Sequence, residues 1–192
     1  MTEQSLLATL SGVRLHIFHP DSQSVRAFCV SLTQLGCHAQ HSWPPAASLS
    51  TDTQLLLVAI DMHQQPLLTS LFISARERDI PIIALADSHN ARLFPLLLQL
   101  QPNAIAAREL NPFALIVQMI GTLKTVRHQQ RLRAVQQARQ ARSERLAQAK
   151  SVLMQTFGLD ESGAYRLMRS EAMNTRSSME YTAERVITTL QK

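Results

Sequence analysis

No stretch of this 192-residue chain approaches the roughly eighteen consecutive apolar residues that a membrane-spanning helix requires. Its N-terminus, MTEQSLLATLSG, lacks the positively charged segment of a secretory signal. Together these absences point to a cytoplasmic protein. Cysteine is scarce too, since Cys29 and Cys37 are too few for a disulfide framework and read as buried thiols. The segment Cys37-His38-x-x-His41 matches no standard metal spacing and has no second ligand cluster, so no metal is expected. There is also no glycine-rich loop to cradle a phosphate and no nucleophile with its base. Neither an enzymatic activity nor a cofactor is expected.

The chain does have enough apolar material for a packed core, at 45% hydrophobic residues, in a length that fits one large domain or a medium domain plus a small one. Its formal charge of +5 is unevenly placed. Residues 1–123 hold six Lys and Arg against eight Asp and Glu, a balance of −2, whereas residues 124–192 hold thirteen against six, a balance of +7. The basic character therefore belongs to the C-terminal third, where a nucleic-acid phosphate backbone is the natural partner.

Alternation of strand and helix organises the N-terminal part. VRLHIF at 13–18 reads as a short apolar strand, and either Asp21 or Ser22 can cap the helix after it. Val25, Phe28, Cys29, Leu32 and Leu35 form one helical face, and Gly36 supplies a positive φ to end it. Strands are predicted at 37–43, 54–60, 80–86 and 103–107, with helical patterns at about 66–78 and 91–100. Near-continuous apolar runs suit a parallel sheet covered on both faces, which predicts an α/β, flavodoxin-like doubly wound fold with five strands. Only PPAASLSTDT separates Trp43 from Gln54, so the second crossover helix is short or missing. Trp43, with Pro44 and Pro45, is either a packing anchor for that crossover or part of a partner surface.

With its IPIIALAD strand and NPF turn, this pattern resembles the receiver domain of two-component response regulators. The resemblance implies an acidic pair for Mg²⁺ after the first strand, a phosphorylated Asp at the end of the third, a Thr or Ser after the fourth and a Lys before the proline after the fifth. Aligned in register, these positions fall on Asp21 as at most one acid, and on Ala59, Ala86 and Asn111. Asn111 can hydrogen-bond but offers no cation. Reading Asp61 as the acceptor still leaves the other groups missing, so control by phosphorylation is not expected.

From Pro112 to Gly158 there is no further proline and no glycine before Gly158 except Gly121, so about 45 residues can form one helix. Ile116, Met119, Leu123 and Val126 make two a/d heptads and predict a homodimeric coiled-coil seam. Gln130 and Arg133 then interrupt the pattern, and Val135, Ala138, Arg142 and Leu146 resume it in a shifted phase. Beyond Gly158, Asp160 caps a second helix and Ser177-x-x-Glu180 reads as a capping box for a third. The expected inner faces are Ala164, Leu167, Met168 and Ala172, then Met179, Ala183, Val186, Ile187 and Leu190.

Leu146, Ala149-Lys150, Leu153-Met154, Gly158, Ala164-Tyr165, Arg169, Ala172-Met173 and Ala183 resemble the pattern of the ANTAR family, an RNA-binding antitermination module, although Ser151 stands where that family most often has glycine. GCHAQHSWPP is similar, more narrowly, to the pseudo-receivers of the amidase-regulator family. These resemblances imply a pseudo-receiver at 10–111, a long dimerising helix at 112–145 and a three-helix ANTAR domain at 130–191. They also imply a regulator that binds paired hexaloop stem-loops in a leader mRNA and prevents a terminator hairpin. A sensor of the periplasmic-binding-protein fold, responsive to an amide, would control it by sequestration. Arg145, Lys150, Arg166, Arg169 and Arg176 are the candidate basic face, with Tyr165 as a candidate stacking ring. Two other readings remain open: a DNA-binding response regulator using ESGAYRLMRSEAM as its recognition helix, and a protein adaptor acting through its coiled coil.

Overall fold

In the computed structural model the described residues are 9–46 and 49–190. Residues 1–8 of the N-terminal stretch, 47–48 of the proline-rich crossover and 191–192, at the end of the expected ANTAR domain, lie outside the described residues. The chain divides into two units, Met1–His128 and Gln129–Lys192.

Five strands build the first unit: β1 (Arg14–Phe18), β2 (His38–Ser42), β3 (Leu55–Ala59), β4 (Ile82–Ala86) and β5 (Ala104–Ala107). They pair in parallel in the order β2-β1-β3-β4-β5, which is doubly wound as the apolar runs predict. β3 and β4 are buried at every position, so helices must cover both faces. Helix α1 (Gln23–Gln34) and the first turns of α4 (Pro112–Phe157) close one side, where Phe28, Leu32, Leu115, Met119 and Leu123 pack on Leu15, Ile17, Leu57 and Ile83. Helices α2 (Gln65–Glu77) and α3 (Phe94–Leu100) close the other, with Leu68, Phe72 and Leu96 on Leu56, Val58 and Ala84.

Local signals explain the helix ends. Ser22, not Asp21, caps α1, its hydroxyl accepting from the Val25 N–H at 3.3 Å, and Gly36 follows with φ 79°. Among the described residues between β2 and β3 there is no helix; Trp43 is half-buried and Pro45 is buried. Arg78 holds this segment by donating to the carbonyls of Leu49, Ser50 and Thr51.

In the second unit the end of α4 meets α5 (Glu161–Asn174) and α6 (Met179–Leu190). Ala149, Leu153, Ala164, Met168 and Ala183 form its core, with Leu146, Met179, Val186, Ile187 and Leu190 packed against them. Gly158, at φ 63°, ends α4, and the Asp160 carboxylate caps α5 through the Gly163 N–H at 2.8 Å. A Cβ at 163 would stand 2.8 Å from that carboxylate oxygen, so a larger residue there would push the capping side chain aside. Two expectations are corrected. Ser178 rather than Ser177 caps α6, because the chain turns through Arg176 at φ 49° and Ser177 bonds to Thr175 and Thr182 instead. Leu167 is half-exposed rather than an inner residue.

His16, in β1, stacks on Phe18 at 4.1 Å and sets Nε2 against the Ser42 hydroxyl at 2.8 Å, while its buried Nδ1 has no partner. Burial first, and then nearby His41, hold its pKa below the ordinary 6.5. The folded protein thus resists a proton that the unfolded chain accepts. The stability His16 contributes is full above the unfolded value and is lost as pH falls through the lowered folded value. Between about pH 7.5 and about pH 5.5 the urea midpoint should fall less for His16→Gln than for the parent protein, and equal falls would contradict this assignment.

Candidate nucleic-acid interface and degenerate phosphorylation crevice

The core of the second unit uses one face of α5 and leaves the other to solvent. Tyr165, Arg166, Arg169 and Met173 are all exposed, at spacings that keep them within about a quarter to a third of the helix circumference. This joins a planar ring, two planar guanidiniums and an apolar thioether on one surface. Tyr165 is therefore outside the core, although an aromatic beside Ala164 could have been an inner residue. Met173 belongs to the same face; its signal was its spacing of four from Arg169.

The other candidate cations differ in their freedom. Lys150 Nζ lies 2.5 Å from Glu161 Oε1, and its side chain is mostly covered, so its charge is already matched. That hydrogen bond, and then the ammonium charge, hold the Glu161 carboxyl below its ordinary pKa. Arg142 pairs with Glu180, and Arg185 approaches Glu171 at 3.5 Å. Arg145, Arg169 and Arg176 have no carboxylate partner among the described residues. Arg166 lies in the field of Asp160, whose carboxyl is held low mainly by the Ser162 hydroxyl, then by the Gly163 N–H. Structure thus groups Tyr165, Arg166 and Arg169 on α5, puts Arg176 in the turn that follows, and leaves Arg145 separately on α4.

In the first unit a crevice of about 790 Å³ opens at the C-terminal ends of the strands, lined by His19, Ser22, Ala86, Asp87, Arg108 and Glu109 among others. Ala59 and Ala86 are the last residues of β3 and β4, both buried, and neither carries a group that can hold or read a phosphoryl. Asp21 pairs with Arg26 at 2.5 Å in the open. His19 stands where β1 ends, with Nε2 at 3.2 Å from the Arg108 carbonyl and Nδ1 at 2.9 Å from that of Pro20. Asp61 accepts from the backbone and ring of His63, and these bonds hold its carboxyl below the ordinary value. Asn111 serves the fold, since its side chain accepts from the Ala114 N–H at 3.1 Å and caps α4. Sequence alignment on the Asn-Pro-Phe turn missed Arg108. It directly follows β5, its N–H donates to the Ala86 carbonyl, and counting from the strand end rather than from Pro112 would have found it. Among the described residues no cluster of His, Cys, Asp or Glu could hold a metal, and no helix is long and apolar enough to cross a membrane.

The family model described as AmiR, N-terminal, matches residues 13–122, more than half of the chain. This chain belongs to the AmiR N-terminal family. The ANTAR domain model matches residues 133–187, and the chain is accordingly an RNA-binding antitermination regulator of AmiR-like, non-enzymatic kind. It is 21% identical over 179 residues to the aliphatic amidase regulator of Pseudomonas aeruginosa, covering 92% of this chain and 91% of that one. The first unit has the fold of a CheY-like response regulator receiver domain protein from Methanospirillum hungatei, with a TM-score of 0.51 at 17% identity over 62% of this chain and 99% of that one.

Within this AmiR-type unit two of the four heptad residues are turned onto the sheet. Met119 and Leu123 are buried on the sheet with Leu15 and Leu57, and Ile116 packs against the same cluster. Only Val126 remains half-exposed beyond it. Met119 and Leu123 thus serve the unit's own core, because a helix lying on a sheet needs the same apolar stripe as a helix lying on a helix. Cys37 donates to the Leu10 carbonyl and His41 Nε2 faces the His19 carbonyl at 2.7 Å, so these two side chains are taken up by the fold, whereas His38 is exposed.

Proposed function

We propose that the regulator binds paired stem-loops in a leader mRNA through the outer face of α5, keeps a terminator hairpin from forming, and is controlled in the cytoplasm by a protein partner rather than by a phosphoryl group. The observation that carries the RNA surface is the exposed cluster of Tyr165, Arg166 and Arg169 in the basic third of the chain. Loop bases splay out and stack on planar groups while guanidiniums meet the phosphates, and this helix face offers both. Arg176 and Arg145 extend the positive surface. Lys150 is a lesser contributor, because Glu161 already neutralises it.

Control without phosphate is supported by the crevice. Alanines at 59 and 86 remove acceptor and reader, and Asn111 is committed to capping α4. A fold that keeps the receiver's surfaces without its chemistry still has faces for a partner. The family resemblance suggests a sensor of the periplasmic-binding-protein fold that holds the regulator until an amide-type inducer binds. By linkage, sensor and RNA then compete, and inducer relieves the competition.

The test is a salt titration of affinity for leader RNA, with the same sequence as duplex DNA for comparison. RNA should bind far more tightly than the duplex. Arg169→Ala should flatten the salt dependence by about 0.7 for each phosphate that the guanidinium meets, and Lys150→Ala should flatten it less. Tyr165→Ala should cost about 1–3 kcal/mol with little change in slope. Saturating sensor should abolish binding and inducer should restore it. Equal affinity for duplex DNA would favour a DNA-binding regulator, unchanged slopes would clear α5 of phosphate contacts, and undiminished binding with sensor present would reject sequestration.

Incubation with acetyl phosphate and Mg²⁺ should leave the intact mass unchanged. One added phosphate mapped to Asp61 would overturn phosphate-independent control.

A further inference from the structure

Four side chains follow one another along the outer stripe of α5. Glu161, Tyr165, Arg169 and Met173 are all exposed and recur at every fourth residue, so each lies about 40° around and about 6 Å along the helix from the one before. From the N-terminal end the stripe presents a carboxylate, an aromatic ring, a guanidinium and a thioether. The ring, the guanidinium and the thioether suit stacking bases and phosphates. The carboxylate suits neither, since it repels a phosphate and gives a stacked base no added surface.

This carboxylate is held as an acceptor. Lys150 Nζ, on α4, lies 2.5 Å from Glu161 Oε1, and that hydrogen bond, then the ammonium charge, hold the carboxyl below its ordinary pKa. It therefore stays ionised near neutral pH and can only accept. Its Oε2 has no hydrogen-bond partner among the described residues, and the Glu161 side chain is 72% exposed. The neighbouring acids are engaged elsewhere: Asp160 caps α5 through the Gly163 N–H, and Glu171 faces Arg185 of α6 at 3.5 Å. Lys150 also offsets the charge that would drive a phosphate backbone away. A free carboxylate oxygen one turn from a stacking ring is placed for the edge of a base.

We infer that Glu161 reads the RNA base that stacks on Tyr165, and that this base is a guanine. This role depends on α5 being the RNA-binding face. Splayed-out loop bases are read along their Watson–Crick edges, and there guanine alone sets two N–H donors, N1 and N2, side by side. They match the two oxygens of one carboxylate, in which Oε1 keeps a lone pair beyond the one that Lys150 uses. Adenine and cytosine offer one amino group beside an acceptor nitrogen, and uracil offers one N–H between two carbonyls. Each of these sets an acceptor against the carboxylate, which costs affinity. One turn beyond Tyr165, Arg169 is placed for a phosphate. Glu161 thus supplies a selectivity that rings and guanidiniums, which accept any nucleotide, do not.

Stem-loops with one fixed stem and a randomised loop test it, by selection on the full chain and then by the affinity of the selected RNA. The parent protein should enrich guanine at one loop position. Inosine at that position, which lacks the 2-amino group, should bind about tenfold more weakly. Glu161→Ala should bind the guanine and inosine loops alike. Lys150→Ala removes the same ion pair but leaves the carboxylate, and should still favour guanine. Loss of the preference in both variants would make the pair a mere support for the helix and overturn the inference. Enrichment of another base or of none, or a guanine preference that survives Glu161→Ala, would overturn it too. Tyr165→Ala separates this role from the reading it depends on. If the parent binds none of the loops, or if Tyr165→Ala binds as tightly as the parent, α5 is not the RNA face and both fall. If Tyr165→Ala loses affinity while Glu161→Ala keeps the guanine preference, only the role of Glu161 falls.

Discussion

A parallel sheet whose central strands are apolar on both sides has to be covered on both sides, and in this chain that requirement governs everything downstream of the fifth strand. β3 and β4 are buried throughout, and α2 and α3 cover one face. The other is only partly covered by α1; Leu115, Met119, Ile120 and Leu123 of α4 complete it. With about 1.5–3 kcal/mol for each such side chain removed from water, these four residues outweigh what an exposed helix of this composition could supply for itself. The front of α4 is therefore part of the first unit's core.

This assignment has consequences at both ends of the core segment. At its start, Asn111 must cap a helix, which removes it from any role at the crevice, and Arg108 becomes the cation on that wall. Along its outer side, the residues that the sheet does not use include Phe113, Val117 and Gly121, which are exposed. Past His128 the second unit begins, and there α4 serves a different core through Leu146, Ala149 and Leu153. One helix thus presents two buried stripes to two separate cores.

Much of this was legible in the residues. Continuous apolar runs announced the central strands, and Ser22, Gly36, Gly158 and Asp160 marked helix ends because each meets a specific local need of the backbone. The inner face of α6 followed from its spacing. Other features depended on contacts distant in sequence. Apolar residues at 116, 119, 123 and 126 read as a dimer seam, yet spacing alone cannot distinguish a sheet from a partner helix, and the sheet takes 119 and 123. Ser177 and Ser178 are equally good caps by composition, and only the left-handed turn at Arg176 selects the second. The pairing of Lys150 with Glu161, eleven residues apart, likewise needs the α4–α5 turn to be known before it can be foreseen.

The claim that the sheet depends on the first turns of α4 is tested most directly by comparing two truncated chains, residues 1–128 and residues 1–111, in thermal and urea unfolding. If Leu115, Met119, Ile120 and Leu123 close the core, the longer chain unfolds in one cooperative transition, whereas the shorter one shows no cooperative transition and binds hydrophobic dye. A shorter chain that unfolds cooperatively at the same midpoint would contradict the account, and would return those four residues to a partner.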